Sequence, residues 1–173
     1  MNDREIVDLS FTAIISAPIE KIDIPAWCFS LSEQEYQSCS PAHITAGFTT
    51  APDGKRMSIN VEIIGGSIIV EHYVETLGKN HLILDSTSDV LTPSGRTTIH
   101  VTWELSVREV GAGKCEFTNR VKTFATEDLL AFLARQGIPF DQFRAQRQPA
   151  SIAHNQGEAP LFAASIERAA LRQ

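Results

Sequence analysis

The stretch Thr97-Thr98-Ile99-His100-Val101-Thr102-Trp103-Glu104-Leu105-Ser106-Val107-Arg108-Glu109-Val110, TTIHVTWELSVREV, decides the fold. Read with period two, Ile99, Val101, Trp103, Leu105 and Val107 point one way. Thr98, His100, Thr102, Glu104, Ser106 and Arg108 point the other way. Successive side chains of a strand face opposite sides, so this strand has one dry face and one wet face. Such a pattern belongs to an antiparallel sheet covered on one side only.

The same period extends outward in both directions. From residue 42 onward, turn signals punctuate it at Pro52-Asp53-Gly54, Gly65-Gly66, Gly78-Lys79-Asn80, Pro93-Ser94-Gly95 and Gly111-Ala112-Gly113. These five turns join six strands in a meander. Another strand opens the chain, where Val7, Leu9, Phe11, Ala13 and Ile15 alternate with Asp8, Ser10 and Thr12. Ser16-Ala17-Pro18-Ile19-Glu20 then reads as a strand end followed by a helix start, because Pro fits a first helical turn. Pro25 interrupts and restarts that segment, and Ser32-Glu33-Gln34-Glu35 is a capping box. Two short helices are therefore expected after the first strand.

Beyond Thr126 the period becomes helical. Leu129, Leu130, Phe132 and Leu133 form a stripe that Gly137 and Pro139 end. Residues 138–157 are polar and carry Pro139, Pro149 and Gly157, which predicts a long connection or lid. Residues 158–172 place Phe162, Ala163, Ile166, Ala169 and Ala170 on one face of an amphipathic terminal helix. The expected class is α+β. A seven-stranded curved antiparallel sheet wraps around the C-terminal helix in one domain spanning residues 1–173.

This order resembles the helix-grip fold of the START-like and pollen-allergen-like superfamily, the SRPBCC ligand-binding proteins. The residues that carry the resemblance are Ile14-Ile15-Ser16-Ala17-Pro18-Ile19-Glu20, the meander and the alanine-rich terminal helix. The chain departs from it where Pro25 splits the helix after Ala17-Pro18, and where residues 126–157 separate the last strand from the final helix. The resemblance implies a cavity between sheet and helix for an apolar molecule such as a lipid, sterol, polyketide or quinone. Ala159, Ala163, Ala164, Ala169 and Ala170 lend independent support, since small residues over a wide sheet leave volume unfilled. The same alanines would equally allow close packing with no cavity.

Composition narrows the partners. The net charge of −6 and pI near 5.3 argue against a nucleic-acid surface, which needs a clustered positive field. Arg135, Arg144 and Arg147 are interleaved with Glu127, Asp128 and Asp141. The opening MNDREIVDLS has acids where a signal peptide needs positive charge, and no segment has the length of a membrane span. Cys28, Cys39 and Cys115 are odd in number and lack a CxxC spacing, which fits the cytoplasm. Cys39-x3-His43 could be half of a metal site, but no second half lies nearby. No zinc motif, P-loop, dinucleotide fingerprint or Ser/His/Asp spacing is present, so no metal and no cofactor are expected.

Extending the face assignment gives the candidate ligand contacts. In Gly65–Leu77 the more apolar face carries Ile68, Val70, His72, Val74 and Thr76, which places His72 inward. Asn119 shares a face with Cys115, Phe117 and Val121, while Ser86 and Ser88 share one with Leu82, Leu84 and Val90. The expected ligand-binding set is His72, Asn119, Ser86, Ser88, Val70, Trp103, Phe117, Phe162 and Ile166. His72 can be a satisfied core histidine, a ligand anchor or a catalyst. Its apolar neighbours favour the neutral ring. Alternation puts Glu71, Glu75 and Asp85 on the outer face, so no carboxylate stands beside it and no catalytic residue is assigned. His154 reads as solvent-exposed or as part of the lid.

Three function classes follow. The first is a binder of a small apolar or amphipathic ligand, without stable membrane insertion, with a homodimer left open. The second is a polyketide cyclase or aromatase-type enzyme, which needs a pocket acid or base with a shifted pKa. The third is a co-chaperone-like interaction module, which needs an exposed apolar patch on the outer strand face. The outer faces carry Thr, Glu, Lys and Arg and give little sign of such a patch.

Overall fold

The structure is a computed structural model and describes residues 4–77 and 81–172. Its strands are β1 (Glu5–Ile15), β2 (His43–Thr50), β3 (Arg56–Ile64), β4 (Ser67–Leu77), β5 (His81–Thr92), β6 (Gly95–Gly111) and β7 (Lys114–Ala125). They form one antiparallel sheet in the order β1-β7-β6-β5-β4-β3-β2. The meander runs from β2 to β7, and β1 then pairs with β7. Gly65 and Gly66, at φ 57° and 79°, close the tight turn between β3 and β4, where backbone of that hand favours glycine. The expected turn at Gly78-Lys79-Asn80 lies outside the described residues.

Between β1 and β2 the chain makes a single 3-10 turn at Ile19–Lys21, then α1 (Ile24–Cys28) and α2 (Glu33–Ser38). Pro25 sits in the first turn of α1, which Asp23 caps by accepting from the Ala26 N–H at 2.8 Å. Ser32 caps α2 by accepting from the Glu35 N–H at 3.2 Å. The other half of the capping box does not form: the Glu35 carboxylate accepts from Arg168. Thr126 caps α3 (Glu127–Gln136), and Gly137 ends it at φ 68°.

The C-terminal helix α4 spans Phe140–Leu171, 32 residues, and contains Pro149 and Pro160. Residues 138–157 are thus not a long loop or lid; nearly all belong to α4. Each proline removes one backbone hydrogen bond from the helix. Tertiary contacts override that loss: Phe143, Arg147, Ser151, His154, Asn155, Glu158 and Phe162 recur at helical spacing and face the sheet. The stripe is mostly polar, so a search for apolar periodicity does not find it.

Leu82, Leu84, Leu105 and Phe117 of the sheet are fully buried, as are Phe162 and Ile166 of α4. Each such side chain contributes about 1.5–3 kcal/mol of burial free energy. The outer sheet face is less polar than its sequence predicts. Ile63, Ile68 and Leu91 are register neighbours there and are 46%, 38% and 40% exposed. Among the described residues no helix is long and apolar enough to cross a membrane.

Candidate functional site

The inner face of the sheet is mostly apolar on β5, β6 and β7 and carries its carboxyl groups on β3 and β4. On β3, Ser58, Asn60, Glu62 and Ile64 point inward and are buried. On β4 the inward residues are Ile69, Glu71 and Tyr73. This reverses the face assignment drawn from the sequence. Val70 and His72 stand half-buried on the opposite face, away from the pocket. The antiparallel register leaves no choice: Asn60 pairs with Glu71 and Ile59 with His72, and paired residues share a face. His72 contributes only its backbone N–H, which donates to Ser86 Oγ at 2.7 Å.

A pocket of about 90 Å³ lies between this face and α4. One end is apolar, lined by Val7, Ile99, Leu129 and Phe132. The other end holds two histidines and three carboxyl side chains, His43, Glu62, Glu71, His154 and Glu158, with Tyr36, Tyr73 and Arg147 beside them. Four of them form a ring. His43 Nε2 lies 3.2 Å from Glu158 Oε2 and 3.5 Å from Glu62 Oε2. His154 Nε2 lies 3.0 Å from Glu62 Oε2 and 3.3 Å from Glu158 Oε2. His43, Glu62 and His154 each offer one metal-ligating atom, all within 4.8 Å of one another.

The ring is held from behind. His43 Nδ1 donates to the Tyr36 carbonyl at 2.7 Å, and the two rings stack with centroids 3.8 Å apart. His154 Nδ1 is 3.3 Å from Ser40 Oγ. Asn119 Nδ2 donates to Glu158 Oε1 at 2.9 Å, and Trp103 Nε1 donates to Asn119 Oδ1 at 2.7 Å. Nearby, the Tyr73 hydroxyl donates to Glu71 Oε1 at 2.8 Å.

These contacts sort the charges. Burial, reinforced by the charge of Glu62, holds the Glu71 carboxyl well above the usual carboxylate range. Burial drives Glu158 the same way, but the bonds from His154 and His43 outweigh it and bring the carboxyl down to about 2. Burial disfavours the His154 cation, yet Glu158 and Glu62 push that ring up to about 11. One carboxyl kept neutral, Glu71, near another kept ionised, Glu158, is a usual acid–base arrangement.

Of the residues expected from sequence, Trp103 and Phe162 line the pocket. Asn119 is fully buried and positions Glu158. Ser86 and Ser88 point inward but are spent on each other, Oγ to Oγ at 2.9 Å, and Phe117 and Ile166 are core residues behind the lining. His43, Glu62, Glu71, His154 and Glu158 escaped the sequence reading. Two signals pointed to them: the His154-x3-Glu158 spacing, one helical turn, and the alternation Ser58-x-Asn60-x-Glu62. The Cys39-x3-His43 pair does not operate together, since His43 finds its partners on β3 and α4.

No family model matches the chain, and no curated protein matches it in sequence. Solved structures do. The Zhui aromatase/cyclase from Streptomyces sp. R1128 matches with a TM-score of 0.64 at 13% identity, over 96% of this chain and 94% of that one. A START superfamily protein from Mycobacterium smegmatis matches with a TM-score of 0.51 at 10% identity, over 95% and 97%. The di-domain ARO/CYC BexL from the BE-7585A biosynthetic pathway gives a TM-score of 0.53 at 12% identity, over 95% of this chain and 50% of that one. The chain has the START-like helix-grip fold.

Proposed function

We propose that the protein binds a compact amphipathic molecule between sheet and α4, and acts on it by acid–base chemistry. The observation that carries this reading is the buried cluster of His43, Glu62, Glu71, His154 and Glu158 on the pocket wall. Burying ions costs several kcal/mol each, and a carrier of a purely apolar molecule has no need to meet that cost. Thr97 adds a second sign of a ligand with some polarity. Its buried hydroxyl lines the pocket and has no hydrogen-bond partner among the described residues. Glu71, kept protonated, suits a general acid, and the ionised ring suits a base or an oxygen-binding site.

Size limits the ligand. A cavity of about 150 Å³ accepts benzene, and the pocket at rest is about 90 Å³. A single phenolic or quinone-like ring fits with small side-chain movements, while a sterol or a long lipid does not. The aromatase/cyclase neighbours make an aromatic or polyketide-derived ring the natural class. The three buried, unpaired cysteines support the cytoplasm as the compartment.

The test uses 2,4-dihydroxyacetophenone as probe. Binding is read from quenching of Trp103 fluorescence in a Trp27→Phe background, and turnover from chromatography of the mixture. Quenching with saturation, lost in Thr97→Phe, supports the pocket. Co-purification of an unchanged small molecule, with no product from it or from substituted ring ketones, would leave a carrier and defeat the catalytic half.

A further inference from the structure

We infer that His43, His154, Glu62 and Glu158 form a binding site for one first-row divalent cation of the zinc class. The inference stands on side-chain geometry and is independent of which molecule the pocket takes.

The first argument is distance. Ionic hydrogen bonds between nitrogen cations and carboxylates close to about 2.7–2.9 Å. The exposed His81 Nε2 and Glu104 Oε1 do so at 2.7 Å, while the other exposed pair, His100 Nε2 and Asp85 Oδ1, stands 3.6 Å apart. The four contacts of the buried ring are 3.0, 3.2, 3.3 and 3.5 Å. Each nitrogen is shared between two oxygens, and each oxygen between two nitrogens. Ligands on one zinc-class ion have bonds of about 2.0–2.2 Å, so neighbouring ligand atoms stand about 2.9–3.5 Å apart. His43, Glu62 and His154 have their ligating atoms all within 4.8 Å of one another, as atoms around a common centre do, and Glu158 Oε2 faces both histidines at 3.2 and 3.3 Å.

The second argument is the tautomer. His43 Nδ1 faces the Tyr36 carbonyl, which can only accept, so its proton is on Nδ1. A neutral His43 then turns a lone pair on Nε2 toward two carboxylate oxygens. His154 repeats the layout, with Nδ1 toward Ser40 Oγ and Nε2 toward the same two carboxylates. A backbone or side-chain acceptor behind Nδ1, with Nε2 free in front, is the usual outer support of a metal-ligating histidine. A divalent ion would displace the proton that His154 holds between Glu62 and Glu158, and with two imidazoles and two carboxylates it leaves these four residues without net charge. Asn119 completes the support by occupying Glu158 Oε1, which leaves Oε2 for the centre.

The third argument is placement. The four residues come from the start of β2, the end of β3 and two successive inward turns of α4. All four line the pocket, so an ion held there meets whatever molecule enters. Imidazole with carboxylate suits zinc, cobalt, nickel or iron better than calcium or magnesium, which prefer all-oxygen sites. Bound there, the ion would polarise an oxygen of the pocket ligand.

Full-length protein stripped with EDTA is titrated with Zn²⁺ by calorimetry and with Co²⁺ by visible absorption. We expect one ion per chain and the d–d bands of a four- or five-coordinate Co²⁺ site. His154→Gln and Glu62→Gln should each weaken Zn²⁺ binding by more than the about 10–100-fold that loss of an outer support costs. Asn119→Ser, which removes a positioning residue, should fall within that about 10–100-fold range and keep the Co²⁺ bands. His81→Gln should bind as wild type does. Wild-type protein also gives a readout that needs no variant to fold. On adding Zn²⁺, the Nε2 resonances of His43 and His154 should move to metal-bound positions while Nδ1 stays protonated. Absence of uptake by the stripped protein, unchanged histidine resonances, or folded His154→Gln and Glu62→Gln variants that bind like wild type would each overturn the inference. Because only metal is added, the result is separate from whether the phenolic probe binds.

Discussion

Replacing Glu71 by Gln tests the electrostatics of the pocket with little change in shape. Glu71 is 5% exposed, and its carboxyl is held well above its ordinary value of 4.5 by burial and by the charge of Glu62. A raised carboxyl means that the folded state keeps a proton which the unfolded chain releases. Its stabilising contribution is therefore full below about pH 4.5, declines as pH rises, and is gone above the folded value. Within that window one proton is worth about 1.4 kcal/mol per pH unit. Gln keeps the acceptor that the Tyr73 hydroxyl uses and carries no titration. Between pH 5 and pH 6, wild type should thus lose stability relative to Glu71→Gln, by at most about 1 kcal/mol. Urea unfolding of both proteins at those two pH values, with EDTA present, measures the difference. If the two stabilities run parallel, Glu71 is ionised in the fold and the assignment of a neutral acid fails.

Three further outcomes follow from the packing. Phe162 is 1% exposed and meets Trp27, Trp103 and His43 with ring centroids 5.4–5.8 Å apart, so Phe162→Ala should cost about 3–5 kcal/mol in urea unfolding; a loss under 1 kcal/mol would mean that the helix does not anchor the sheet there. Burial pushes the Cys28 thiol up to about 12 and the Cys39 thiol up to about 11, so neither should react with Ellman's reagent at pH 8 until urea is added; rapid labelling of native protein would contradict their burial. Residues 140–157 should show helical amide protection in hydrogen exchange, well above that of the Gly111–Gly113 turn; free exchange across the stretch would return it to a lid.

Most of the fold was legible because it rests on apolar periodicity. On β5, β6 and β7 every inward residue read from alternation is inward in the structure, from Leu82 and Leu84 through Trp103 to Phe117 and Asn119. The cap at Ser32 and the stop at Gly137 were equally plain, since each is a local exchange of one side chain or one backbone angle for a hydrogen bond. The site was not legible, and the reason is physical. Reading a strand assumes that its drier face is the covered one. On β4 the covered face holds Glu71 and Tyr73, while Val70 and Val74 face out, so the rule inverts. On α4 the covered stripe is Arg147, Ser151, His154 and Glu158, so the rule finds a loop. Both errors fall on the same patch of the molecule because both have one cause. Where a protein buries a cluster of polar groups, local hydrophobicity stops reporting on burial. Only the pairing register of β3 with β4 and the spacing of His154 and Glu158 along one turn of helix still carry the information. A strand whose wet face alternates Glu and Tyr, opposite another that alternates Ser, Asn and Glu, is therefore better read as the floor of a site than as a surface.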